Sequence, residues 1–551
     1  MSADGIIAVL SEKGRFNPRQ LDFHFPSEAL DFLSVGARYF FRFLSETPGE
    51  LSLDHFIRVE WLKDKEAVKA YRAMTPEERL EVHAIIGFVV HETTHKVDML
   101  ISPFGVQYLH LMIREYLILQ NYLPRALDHP DYIEALRVLP KLTEPPKGLL
   151  DEEKDLSAHW NALTQVVRKT LAWGDLGSLR PPASQIVSGW SGGFLGEQDY
   201  FGTNTPIETI TVLKSFMSFR PKAAGNWYLR PMTIFEAKAL ASTMLYILDI
   251  SGDLSEVALY FRRVYLDHAG DLEPDYLFLL DTLAQIHGPE DFAAALESGN
   301  LAGVRHILLM ASALGWFALQ APPVVPGVEG VSAVSGNPVM RLFVALFHLR
   351  GLLQNDGPPI ANTAAALLMA LEDQKMFSNL EQAPIASALD ATRQALQMLR
   401  EDVGKIWNPE VRKHFVRILD IVEPHIQCRS NTYDSALGMP DKGNPRGYVN
   451  SKADMELFYH DHAPDGAYAE WLEMRGALLF AHPIPHETMV AKLDQHFRAY
   501  LMAVICENCR IGLNQFWMSR FVEEFSFTCP NCGTKKQIHM DKARMISLPK
   551  N

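Results

Sequence analysis

Cysteine is scarce, with five in 551 residues, four of them in two close pairs. So few thiols over such a length do not make a disulfide framework, and close pairs suit metal binding in a reducing compartment. No block of five or six like charges occurs, and the net charge of −14 is spread thinly. A broad nucleic-acid surface is therefore disfavoured, with room only for a local basic patch. The opening residues Met1 to Gly5 lack the basic and long apolar regions of a signal peptide, which favours a cytoplasmic protein. One uncharged run, Ile307 to Val328, is broken by Pro322, Pro323 and Pro326. It predicts a buried helix of about 13 residues over Ile307 to Leu319, too short to span a bilayer, and no membrane association is expected. Strand-like runs are few: Ile6–Leu10, Phe56–Trp61, Thr209–Leu213 and the Phe525–Met540 region. No repeat of the solenoid kind is visible.

What is present is an ordinary globular composition, 48% hydrophobic and 21% charged. The length suggests roughly two to four domains. Helical periodicity runs through Phe235–Leu248, Leu254–Tyr265, Asp275–Ile286, Val339–Leu353, Ile385–Glu401 and Pro409–Val422. The fold class expected is mainly α and multidomain. Proline- and glycine-rich breaks divide it into a metal-site region (1–148), a helical domain (149–320), a linker (321–338), a second helical region (339–500) and a C-terminal module (501–551). Tyr433 to Ser451 is a further turn-rich break. Ser188 to Asn204 combines glycines with aromatics, as a substrate-binding loop or a plain surface loop would.

The pentapeptide His91-Glu92-Thr93-Thr94-His95 is the most informative feature. On a helix, residues four apart share a face, so both imidazoles can hold one metal ion while Glu92 reaches a water on it. The helix has a legible start, because Thr75-Pro76-Glu77-Glu78 is a capping box with proline at the first helical position. It is expected to end at Ser102-Pro103, which opens a second helix running to about Leu123, before Pro124.

On that second helix Glu115 lies amid Tyr108, Leu111, Met112, Ile118, Leu119 and Tyr122, all three, four or seven positions away. A bare carboxylate in an apolar stripe costs several kcal/mol unless a cation faces it. Nineteen residues separate His95 from Glu115. The stretch from Thr75 to Leu123 resembles the gluzincins, which carry H-E-x-x-H followed by a glutamate ligand on a later helix. The resemblance implies a catalytic zinc held by His91, His95 and Glu115, with Glu92 as general base. Arg114 and Leu119 stand where thermolysin-like members carry Asn and an acidic residue. Asp98, seven residues from His91, is a rival third ligand. Glu115 has other ways to be satisfied, by Arg114 of another copy, by Lys96 or by a buried histidine.

Cys506-x-x-Cys509 and Cys529-x-x-Cys532, nineteen residues apart, have the spacing of a four-cysteine structural zinc site. The tail from about Leu501 resembles a zinc ribbon. Cys428 is left over, as a small buried apolar residue or a nucleophile. The ribbon end carries Lys535, Lys536, Lys542 and Arg544, diluted by Glu523 and Glu524.

Arg230 and Glu236 flank the start of another helix and could enter the site as well. Glu236, however, is accounted for by a capping box with Thr233. Tyr459-His460-Asp461-His462 is read as a solvated turn or a metal ligand, and His83 as a packing residue. The leading function is a zinc-dependent peptidase acting on a protein or peptide. The alternative is a non-enzymatic helical scaffold whose ribbon binds a protein or nucleic acid. Oligomeric state is not legible.

Overall fold

The computed structural model describes residues 3–44 (except 18 and 20), 65–138 (except 128 and 129), 154–172, 231–267, 274–321, 385–428, 466–480, 484–497, 500–505, 513–518, 524–529 and 532–539, with 323, 338, 341, 342, 345, 346, 349, 508 and 509. The expected glycine-aromatic loop at 188–204, the turn-rich break at 433–451, the Tyr459–His462 cluster, Arg230, Cys506, and the strands Phe56–Trp61 and Thr209–Leu213 lie outside these residues. So does the 321–338 linker apart from 321, 323 and 338.

The protein is mainly α. In chain order the elements begin with α1 (Ala3–Lys13), the hairpin β1 (Arg15–Asn17) and β2 (Asp22–His24), α2 (Val35–Leu44) and α3 (Lys65–Ala73). Next come α4 (Pro76–Ile101), α5 (Pro103–Ala126), α6 (Pro130–Val138), α7 (Lys154–Ala172), α8 (Pro231–Ser251) and α9 (Leu254–Phe261). A π-helical turn, Arg262–Leu266, continues α9. The remaining helices are α10 (Pro274–His287), α11 (Phe292–Glu297), α12 (Leu301–Leu319), α13 (Ile385–Gly404), α14 (Pro409–Cys428), α15 (Gly466–Phe480) and α16 (His486–Phe497). Two antiparallel hairpins follow, β3 (Tyr500–Ile505) with β4 (Leu513–Met518), and β5 (Glu524–Thr528) with β6 (Lys535–His539).

Local signals set α4 and α5 where the sequence places them. Thr75 caps α4 with both halves of the box formed, and Ser102 caps α5 by accepting from the Gly105 N–H. Such caps contribute about 1 kcal/mol each. Gly105 is required, since a Cβ there would lie 1.7 Å from the Met99 carbonyl oxygen. Two expectations need correcting. Ile6–Leu10 is not a strand but part of α1, burying Ala3, Ile6, Ile7 and Leu10 on one helical face. The second helix does not stop before Pro124 but includes it and ends at Ala126. The proline sits in the last turn and deprives the helix of one N–H donor close to its end.

α4 is the central element. From Leu80 to Leu100 every residue is buried except half-buried Phe88. It packs against α1, β1, β2, α2, α5, α8, α9 and α14. A helix covered on all sides should be apolar throughout, yet this one carries Glu81, His83, His91, Glu92, His95 and Asp98 inside. Each buried polar group needs a partner, and the partners come from the surrounding elements. Glu81 accepts from the Ser34 N–H at 2.7 Å. His83 meets the Tyr71 hydroxyl at 2.6 Å, and that hydroxyl also donates to Glu256. His83 thus has a hydrogen-bonded packing role, with burial pushing its pKa down to about 3.

α8 runs antiparallel to α4, as the pairings of Gly87 with Thr243 and of His95 with Glu236 show. Deeper along the interface, Lys238 donates to both oxygens of Asp98 at 2.6 and 2.7 Å, with both side chains fully buried. This pair fixes the register of the two helices. Lys238→Met removes the ammonium that Asp98 faces and is expected to destabilise the protein by about 3–5 kcal/mol, read as a lowered urea midpoint. A loss under about 1 kcal/mol would show that the pair does not fix that register.

α12 is longer than the expected 13-residue segment. It begins at Leu301 under an Asn300 cap and includes Arg305. By length and composition it can cross a membrane, but 67% of its most apolar window is buried within the protein, and it packs against α8 and α10.

Candidate metal centre

His91 and His95 lie one turn apart past the middle of α4, with rings at 4.7 Å in an edge-on arrangement. Their Nε2 atoms converge on one oxygen. Glu236 Oε2 lies 2.9 Å from His91 Nε2 and 3.3 Å from His95 Nε2. All three side chains are buried, and the three can hold a metal ion.

The third member of this group, and its one carboxylate, is Glu236 of α8, which corrects the expectation of Glu115. Glu115 is buried on α5 as its apolar surroundings predict, but guanidinium groups supply its cation. Arg475 Nε donates to Oε1, while Arg475 Nη2 and Arg19 Nη2 donate to Oε2 at 3.2 and 3.1 Å. Asp98 is likewise engaged, by Lys238. Glu236 escapes sequence reasoning because Thr233 three residues before it looks like an N-cap. α8 in fact begins at Pro231, so Thr233 is a buried residue inside the helix and the box does not form. One signal was legible. Glu236 stands among Thr233, Ala239, Leu240 and Thr243 on one face, the same kind of low-polarity stripe that singled out Glu115.

The donor set fits a metal ion. Two imidazole nitrogens and a carboxylate oxygen are a common zinc set, with bonds of about 2.0–2.2 Å that place neighbouring tetrahedral ligands about 3.3 Å apart. The distances from Glu236 to the two histidines match. The Nδ1 atoms of His91 and His95 are buried and have no hydrogen-bond partner among the described residues. The carboxylate or carbonyl that usually orients a metal-bound histidine is thus not seen among them.

Electrostatics divide the two glutamates of the site. Burial pushes the Glu236 carboxyl up, but the charges and hydrogen bonds of His95 and His91 together outweigh it and hold the carboxyl below its ordinary range. Glu92 is pushed up to about 7, chiefly by burial. The charge of Glu236 adds to this, while the His91 charge and the nearby Phe16 backbone oppose it. The Phe16 ring also covers His95, with centroids 5.9 Å apart.

Tyrosines close the other side. The Tyr276 ring lies 5.9 Å from that of His91, inclined by 30°, and Tyr265 on the π-turn meets Tyr276 at 5.7 Å. Single π-turns inside helices often mark functional sites. Burial, then Tyr260, Tyr276 and the Glu236 charge, keep the Tyr265 phenol protonated far above neutral pH. Tyr260 needs Gly87, one turn before His91, because a Cβ there would lie 2.4 Å from its hydroxyl.

The second group is at the end of the chain. Cys509, Cys529 and Cys532 bring their sulfurs together, with Cys509 Sγ 3.7 Å from Cys529 Sγ, and they too can hold a metal. A tight turn forms the knuckle. The Cys529 N–H donates to the Thr534 carbonyl, the Gly533 N–H donates to Cys529, and Gly533 has φ 70°. Cys428 ends α14, and its side chain lies outside what is described. If a metal holds this turn, Cys529→Ser should melt the tail. Zinc analysis and limited proteolysis check this, and an intact, resistant tail with unchanged metal content would refute it.

Compared with protein-family models, curated proteins and solved structures, the chain matches none.

Proposed function

We propose that the chain is a zinc-dependent metallopeptidase whose site is His91, His95, Glu236 and Glu92. The observation that carries this reading is the convergence of two imidazoles and a carboxylate on one point, with Glu92 next to His91 on the same helix. A zinc ion held by the three ligands would act as a Lewis acid on the scissile carbonyl and lower the pKa of water. The protein's own contribution is the proton traffic. Glu92, with a carboxyl poised near neutrality, takes the proton of the attacking water and returns it to the leaving amine. Asp98–Lys238 and the caps of α4 hold the ligand helix rigid. The Tyr265 phenol, kept protonated beside Tyr260, is the neutral donor we assign to the oxyanion that develops.

The substrate proposed is a protein or peptide, and the compartment a reducing one in which the C-terminal thiols stay free to bind a second, structural zinc. Burial of the whole site supports one rival reading, a scaffold in which the ion is a structural staple. Metal analysis separates the two. Two zinc ions per chain, one removable by mild chelation and restored together with hydrolysis of a denatured protein, support the enzyme. A tightly held complement, with no hydrolysis over a broad peptide library, supports the scaffold.

A further inference from the structure

We propose that the hairpin Arg15–His24 is a removable strap that shuts this site, latched by Arg19 on Glu115. The inference concerns regulation of the site and rests on the metallopeptidase reading. His91, Glu92, His95 and Glu236 are each at most 8% exposed, so no peptide reaches Glu92 while the hairpin is seated. The cover over the His95–Glu92 side is Phe16 of β1. Its ring, 3% exposed, lies against His95 with centroids 5.9 Å apart. β1 is extended backbone packed on the helix that carries His91, Glu92 and His95, so the strap occupies a place a substrate strand would need.

The strap is built to be held from outside itself. Its ladder has three residue pairs, Arg15 with His24, Phe16 with Phe23 and Asn17 with Asp22, and an isolated two-stranded hairpin is marginal in water. Leu21 in its turn has φ 53°, a left-handed conformation unfavourable for a side chain without a local hydrogen bond. Between the strands, the buried Arg19 reaches Glu115, 96 residues further on, at 3.1 Å. Arg475 holds both oxygens of the same carboxylate. If Arg19 lets go, Glu115 keeps a guanidinium partner and the released arginine returns to water. The latch therefore opens without leaving a buried carboxylate uncompensated, the outcome that makes breaking most buried pairs so unfavourable.

The test uses the full chain, freed of metal, as wild type, Arg19→Met and Phe16→Ala. Diethyl pyrocarbonate modification of His91 and His95 is followed by peptide mass spectrometry. His83, buried on the same helix against Tyr71, serves as an internal control for unfolding. Loss of one charged hydrogen bond should raise modification of His91 and His95 about tenfold in Arg19→Met, with a rise in Phe16→Ala too and His83 unchanged. Unchanged rates at His91 and His95 in both variants would overturn the strap. So would a rise matched by His83, which would mean that the core had loosened. Zinc stoichiometry on the same preparations is a separate readout. Failure to load zinc at His91 and His95 would reject the metallopeptidase reading, while the modification rates would still decide whether the hairpin covers the site.

Discussion

Glu236→Ala should abolish metal binding at His91 and His95, whereas Glu115→Ala should leave it intact and instead destabilise the fold. Glu236 supplies the oxygen on which both imidazoles converge. Removing even an outer partner of a ligand lowers metal affinity by about 10–100-fold, so loss of this oxygen should weaken binding by more than about 100-fold. Competition titration against a zinc-sensitive dye measures it. Glu115 faces Arg19 and Arg475, and its truncation leaves the buried Arg475 guanidinium without the carboxylate it holds at both oxygens, an effect of about 3–5 kcal/mol. Urea unfolding reads that loss. The opposite pattern, with metal lost in Glu115→Ala and kept in Glu236→Ala, would restore the gluzincin arrangement and end the present one.

The second large effect is Glu92→Gln. The amide is nearly isosteric with the carboxyl, so folding and zinc content should match wild type. It cannot take a proton from water, and hydrolysis should fall by about 10²–10⁴-fold, the usual contribution of a positioned base. Loss of metal in this variant would mean that Glu92 is a ligand. Full activity on an identified substrate would remove it from the chemistry altogether.

The contrast between Glu115 and Glu236 shows how far local reasoning reaches. A carboxylate in an apolar stripe must find a cation, and Glu115 does. Whether that cation is a metal or a guanidinium depends on Arg19 and Arg475, which lie 96 and 360 residues away. The capping pattern at Thr233 misleads for a related reason. A Thr-x-x-Glu pattern fits both a helix start and a position three residues inside one, and the buried face of α8 decides between them. The hairpin that covers Glu92 carries no sequence signal either, because strands of three residues are too short to show a period.

The sequence by itself determines the mainly helical class, most helix positions between Pro231 and Cys428, the caps of α4 and α5, the His91–His95 spacing on one face and the cysteine knuckle. All of these depend on residues within a turn or two of one another, where periodicity, capping and backbone sterics act. Only the tertiary structure decides which carboxylate meets the histidines, what neutralises Glu115 and Asp98, and that Phe16 lies over the site. Those outcomes depend on which surfaces α4 buries, and a buried polar group accepts any partner of complementary charge that packing brings within reach.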